Sequence, residues 1–178
     1  CGRLPGGPDT PAIRVRTGDR SGAADRRRTP VVAVLDNLRS AFNVGNIFRL
    51  AEATGIEAVY TCGYTATPPH PKLAKTGRGA EDRIPCRHFD TAAAALAALR
   101  QSGYRVYGVE TAEAARPVWD VRFHFPAAFL LGNEALGVSA EALAACDEFV
   151  HLPCLGVKNS VNVGNCAAVV LYAALGQW

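Results

Sequence analysis

The residues that first suggest chemistry sit in two copies of one tetrapeptide, Asn43-Val44-Gly45-Asn46 and Asn162-Val163-Gly164-Asn165. Each stands where a loop reads as turning into a helix, IFRLAEATG after the first and CAAVVLYAALG after the second. Asn offers an amide for capping, and Gly lets backbone or ligand come close. Two such helix starts would suit the edge of one pocket. The competing reading is a chance echo of a good cap beside a small residue; the flanks differ, so no internal duplication is inferred. Further polar groups end the apolar runs, at Asp36-Asn37, Glu110-Thr111, Gly132-Asn133-Glu134 and Pro153–Gly156.

Other chemistries are disfavoured. No G-x-G-x-x-G follows the first strand and no G-x-x-x-x-G-K-[ST] is present. His70, His88, His124 and His151 stand in no nucleophile-elbow context. The six Cys contain no C-x-x-C and read as reduced thiols of a cytoplasmic protein. Cys146, His151, Cys154 and Cys166 do not have a familiar zinc spacing, and buried thiols are the expectation there, with no metal.

The elements that must position these groups follow from the pattern. The apolar fraction of 49% fits one globular domain, and no apolar run approaches the roughly 20 residues of a membrane helix. Apolar, β-branched runs predict strands at 30–37, 56–63, 104–110, 126–134 and 148–153. Periodic, capped stretches predict helices at 43–55, 91–103, 139–146 and 160–178, with a long loop over 63–88. Strands alternating with helices give an α/β fold with a largely parallel sheet flanked by helices. Ligands of such sheets lie beyond the carboxyl ends of the strands, where the polar groups stand.

Charge is unevenly placed. Residues 1–30 carry seven Arg and three Asp, or +4, while the remaining residues hold 12 Lys and Arg against 13 Asp and Glu, or −1. The start, residues 1–29, has no signal-peptide apolar core and reads as a basic, flexible leader to a domain over 30–178. The stretch 70–88 holds Lys72, Lys75, Arg78, Arg83 and Arg87 against Glu81 and Asp82, and is either a solvated loop or an arm that meets phosphates.

Three segments carry a resemblance. NVGNIFRLAEATG, with Arg49 six positions after Asn43, resembles the first motif of the SpoU/TrmH-like RNA 2′-O-ribose methyltransferases of the SPOUT superfamily. FLLGNEALGVS (129–139) resembles the second, and HLPCLGVKNSVNVGNCAAVVLY (151–172) the third. They lie in the family's order and span about residues 30–175. Ala135, Val161 and Asn165 depart from the residues usual there.

The resemblance implies a C-terminal trefoil knot, a homodimer with its site near the subunit interface, and S-adenosylmethionine held by the second- and third-motif loops. It implies methyl transfer to a ribose 2′-hydroxyl of transfer or ribosomal RNA, in a cytoplasmic enzyme. Asn43, Arg49, Glu134, Ser160 and Asn162 are then the catalytic candidates. Thr111, Leu131, Gly132, Leu152, Cys154, Gly156 and Val161 are the cofactor-binding candidates. RNA is expected to meet Arg49, Lys72, Lys75, Arg78 and the leader. Asn43 is expected to cap the helix that presents Arg49, and Glu134 to orient Asn43 or Arg49 or else to cap the helix near Ser139. For Arg49, a surface pair with Glu52 is the plainer alternative. A non-catalytic RNA-binding protein on the same fold, and a knotted base methyltransferase, are the competing functions.

Overall fold

The computed structural model describes residues 28–178, so the proposed leader lies outside the described residues apart from its last two positions. Strand β1 (Thr29–Asp36) leads to helix α1 (Ala41–Thr54), strand β2 (Ile56–Cys62), helix α2 (Pro71–Gly77) and strand β3 (Cys86–Phe89). Helix α3 (Ala92–Gln101), strand β4 (Arg105–Val109) and the two-residue strand β5 (Arg116–Pro117) follow, the last running into a 3₁₀ turn. Strand β6 (Ala127–Leu131), helix α4 (Ala140–Ala144), strand β7 (Glu148–His151) and helix α5 (Val163–Gln177) complete the order.

All seven strands form one sheet in the order β3-β2-β1-β6-β4-β7-β5, with every neighbouring pair parallel. A parallel sheet must be covered on both faces, which is why its strands read as unbroken apolar runs. Alternate residues of β1 divide accordingly. Val31, Ala33 and Leu35 pack with Ile47 and Phe48 of α1 and Ala167 and Leu171 of α5. Val32 and Val34 pack with Leu96 and Leu99 of α3 and Ala142 of α4. Each fully buried Val, Leu, Ile or Phe among them contributes about 1.5–3 kcal/mol.

The strand and helix types at these positions match the expectation, and the differences lie in the connections. The stretch 63–88 is not a bare loop: α2 and the start of β3 lie within it. Its ends are too short, and its apolar positions too few, to announce themselves by periodicity. Ser40, not Asn43, caps α1, its Oγ accepting from the Asn43 N–H at 3.3 Å. Asn162 caps α5 as expected, its Oδ1 accepting from the N–H groups of Gly164 and Asn165. Ser139 stands at the start of α4, but its hydroxyl donates to Asp36 Oδ2 at 2.7 Å instead of capping.

Helix α5 does not have its apolar surface uniformly covered. Val170 is 1% exposed and belongs to the chain's own core, whereas Val169 at 43% and Tyr172 face solvent.

Candidate active site

The site is built at the carboxyl ends of β6, β4 and β7, three neighbours in the sheet. There a cavity of about 400 Å³ is walled by Glu110 and Thr111 after β4, Leu131–Glu134 after β6, Leu152 and Cys154 after β7, and Ser160–Val163 before and into α5. It lies beside the place where the chain's path across the sheet reverses, between β1 and β6.

Motif by motif, hydrogen bonds tie these walls together. The Glu134 carboxylate accepts from the Arg39 N–H at 2.9 Å, the Ser40 N–H at 3.3 Å and the Asn43 side-chain amide at 2.9 Å. It therefore serves the open N-terminus of α1 from across the sheet, a favourable place for a carboxylate. Asn43 is fixed in turn: its Oδ1 accepts from Asn162 Nδ2 at 3.3 Å. Glu134, Asn43 and Asn162 thus form one chain from β6 through α1 to α5. Partial burial acts to raise the Glu134 pKa, but hydrogen bonds from Arg39, Asn43, its own N–H and Ser40 outweigh it, and the net shift is downward from 4.5.

Asn133 was not a sequence candidate, yet it joins three loops. Its Oδ1 accepts from the N–H groups of Ala135 and Leu136, and its Nδ2 donates to the Asn37 carbonyl and to the Tyr64 hydroxyl. Ala135 sits in this turn without a left-handed backbone, so the turn does not require a glycine there. Two strand-end acids outside the catalytic and cofactor candidates also take part. Asp36, buried at the end of β1, accepts from the Ser139 N–H and hydroxyl and from Asn37 Nδ2. Glu110 accepts from Thr111 and from the Val138 N–H, and the glycine at 137 leaves room for its carboxylate, which a Cβ would approach to 2.7 Å. The available signal was an acid or amide directly after each apolar strand.

Of the predicted residues, Thr111, Leu131, Gly132, Glu134, Leu152, Cys154, Ser160, Val161 and Asn162 line the cavity. Asn43 reaches it through Glu134 and Asn162. Gly156 does not: it tops an exposed turn between Leu155, 99% exposed, and Val157, 103% exposed, and a Cβ there would meet nothing within 4 Å. Arg49 also stays outside. Six residues beyond Asn43 on a helix, it is about 9 Å along the axis and roughly a third of a turn round. It is exposed, and its guanidinium has no hydrogen-bond or ion-pair partner among the described residues. The alternative pairing with Glu52 is not made, since Glu52 takes Arg83 at 3.0 Å. Lys72, Lys75 and Arg78 are exposed along α2 and its end, with Arg78 in a left-handed conformation at φ 52°.

The four-residue Cys and His set is divided. Cys146 packs on the α3 side of the sheet, while Cys166 packs on the α5 side. Among the described residues no group of three His, Cys, Asp or Glu is placed to hold a metal ion. Burial pushes the thiols up, Cys146 to about 12 and Cys166 to about 11.

Residues 30–172 match the model of the SpoU rRNA Methylase family. The chain belongs to that family. It is 33% identical over 153 residues to a tRNA (guanosine(18)-2'-O)-methyltransferase of Thermus thermophilus, covering 85% of this chain and 78% of that protein. It is 29% identical over 148 residues to a 23S rRNA (guanosine-2'-O-)-methyltransferase RlmB of Burkholderia sp, covering 83% of this chain and 60% of that one. The chain spans about three-fifths of the length of several curated relatives it matches. Among solved structures it is similar to the SpoU methyltransferase AviRb from Streptomyces viridochromogenes in complex with the cofactor AdoMet, with a TM-score of 0.75, 27% identity, and coverage of 86% of this chain and 62% of that one.

Proposed function

We propose that this SpoU-family chain methylates a ribose 2′-hydroxyl of transfer or ribosomal RNA, using S-adenosylmethionine. The observation that carries the reading is the Glu134–Asn43–Asn162 chain of hydrogen bonds at the rim of a cavity beyond the strand ends. The cavity has the volume of a small-ligand site, and its walls alternate apolar side chains with backbone and carboxylate groups. Glu110 and Glu134 face it, a pair of acceptors suited to a ligand that bears both hydroxyls and a positive charge. Leu152 and Val161 would flank an adenine, and the backbone at Leu131, Gly132 and Cys154 would meet its polar edge.

That cofactor, when bound, supplies a methyl group already activated as a sulfonium. The chain's own task is alignment and the handling of one proton. Glu134 is a positioning residue. Its carboxylate is filled by three donors, so it is a poor acceptor for a further proton but a firm anchor for Asn43. Ser160 and Asn162 line the cavity with a hydroxyl and an amide that would meet an entering ribose. Arg49, a fork without a partner among the described residues on the outside of α1, is suited to grip an RNA phosphate and hold the 2′-oxygen in line. A guanidinium does not readily release its proton, so the hydroxyl proton passes to phosphate or water as the oxygen–carbon bond forms and the carbon–sulfur bond breaks. Lys72, Lys75 and Arg78 extend the cationic surface along α2, and the basic leader would add to it.

We infer further that the chain threads as a trefoil knot and works as a cytoplasmic homodimer. In support of the knot, α5 follows β7 at one side of the sheet and packs back on α1. In support of the dimer, Val169 and Tyr172 leave an apolar stripe on α5 in solvent, and Phe42 does the same on neighbouring α1. No described helix is long and apolar enough to cross a membrane.

The test is a calorimetric titration with S-adenosylmethionine, joined to methyl transfer onto unmodified transcripts of transfer and ribosomal RNA. Products are scored by resistance of the modified linkage to alkali. Cofactor binding with alkali-resistant product is expected. Binding of RNA with no cofactor binding would favour the non-catalytic reading, and alkali-labile methylated product would favour a base methyltransferase.

A further inference from the structure

Tyr64, in the connection from β2 to α2, is turned the opposite way from an ordinary surface tyrosine. Such a side chain lays its ring on the protein and leaves its hydroxyl in water. Tyr64 is 62% exposed, yet its hydroxyl accepts a 2.6 Å hydrogen bond from Nδ2 of Asn133, a buried residue of the cavity wall. The polar end is tethered inward and the ring is left in solvent. No ring contact to it occurs among the described residues.

The backbone holds it there by two uncommon conformations. Gly63 has φ 60°, and a Cβ on it would come within 2.9 Å of the Asn37 amide carbon. Asn37, beside it at the end of β1, is itself left-handed at φ 54°. Asn tolerates that region better than most residues but at some cost. Its Oδ1 accepts from the Tyr64 N–H at 3.3 Å, and its Nδ2 is held by Asp36 at 2.8 Å. The next residue, Thr65, is buried, donating to the Leu35 carbonyl and accepting from the Leu38 N–H. These bonds hold the backbone on either side of Tyr64 and its hydroxyl, and none covers the ring.

A rigid, uncovered ring beside an RNA-modifying site is suited to a planar partner. We propose that Tyr64 is a stacking platform for an unpaired nucleobase at or next to the nucleotide whose ribose enters the cavity. The inference rests on the RNA methylation reading above. Asn133, which holds the ring, directly precedes Glu134, which holds Asn43, so a stacked base and a ribose at the rim would be registered by adjacent residues. Arg39, exposed two residues after Asn37, has its side chain free of partners among the described residues and can take the adjoining phosphate. Base–aromatic stacking tolerates any base, so Tyr64 would orient the nucleotide without selecting its sequence.

The probe is a single-stranded oligouridine carrying one 5-iodouridine, irradiated with the whole chain and mapped by peptide mass spectrometry. The expected cross-link is to Tyr64. Tyr64→Leu should lose it and bind the oligonucleotide about tenfold more weakly, with S-adenosylmethionine affinity and melting temperature near those of the parent. Tyr64→Phe keeps the ring and should keep the cross-link, which covers the case in which the leucine variant folds poorly. Unchanged affinity of a folded Tyr64→Leu, or cross-links only elsewhere, would overturn the platform while leaving methylation standing. A parent chain that stacks the oligonucleotide but binds no cofactor would sink the methylation reading instead.

Discussion

Asn43 and Asn162 are the same residue in the same tetrapeptide, yet only Asn162 caps its helix. At α1 the cap is Ser40, three residues earlier, helped by the Glu134 carboxylate from across the sheet. Asn43 is thereby released from local duty and spans from Glu134 to Asn162. The glycines differ too. Gly45 is pressed by the backbone of α2, where a Cβ would collide with the Leu73 carbonyl and lie 2.9 Å from the Gly77 nitrogen. Gly164 is approached only by side chains, Asn46 Nδ2 at 2.7 Å and Asn162 Oδ1 at 3.2 Å from a Cβ. So the two copies do meet at one place, Asn162 on Asn43 and Gly164 on Asn46, but by different means. A short motif supplies groups; the surrounding elements assign their roles.

The largest difference between the copies should lie six residues on, where the first has Arg49 and the second Ala168. Replacing Arg49 with Ala is expected to lower methyl transfer at least about a hundredfold, with cofactor affinity nearly unchanged by calorimetry, because alignment and not cofactor binding is lost. Near-normal turnover would show that the first copy has no such role.

The glycines should separate next. Gly45→Ala must displace backbone and is expected to cost about 1–3 kcal/mol in chemical denaturation, the usual range for overpacking. Gly164→Ala meets only side-chain ends, those of Asn46 and Asn162, and should cost less. Equal losses would mean that α2 yields as readily as Asn46 does.

The caps give a smaller contrast. Asn162→Ala removes the side-chain acceptor of two backbone N–H groups at α5 and should cost about 1 kcal/mol. Asn43→Ala should cost less in stability but more in methyl transfer, since it joins Glu134 to Asn162 without capping anything. If Asn43→Ala proves the more destabilising, the assignment of Ser40 as the capping acceptor of α1 is wrong.

Acid should act least. The Glu134 pKa is lower in the folded chain than its ordinary value of 4.5. Its contribution is therefore fully present above that value and is lost as pH falls through the lower folded one. Glu134→Gln should flatten this part of an acid denaturation curve, while the Asn162 cap, being uncharged, should contribute no slope.

Much of this was legible in the residues themselves. Apolar β-branched runs fix β1, β2, β4, β6 and β7, because a parallel strand is buried on both faces and has no polar face to confuse the pattern. The motif order pointed to the family, and the groups directly after those strands pointed to the cavity wall, since a parallel sheet gathers its strand ends on one edge. Other features had no local cause. Asn43 looked like a cap because capping is chemistry within three residues, whereas the carboxylate that frees it arrives from 91 positions away. Asn133, Asp36 and the inverted Tyr64 are defined by partners on other strands. Gly156 and Gly132 look alike in sequence, but one crests an exposed turn and the other is crowded by Val138. Val170 and Val169 are adjacent on an apolar helix, and only packing against α1 and the sheet decided which of them is core. Sequence carries local propensity and spacing; which group meets which across the sheet is decided by the strand order, and that exists only once the chain has folded.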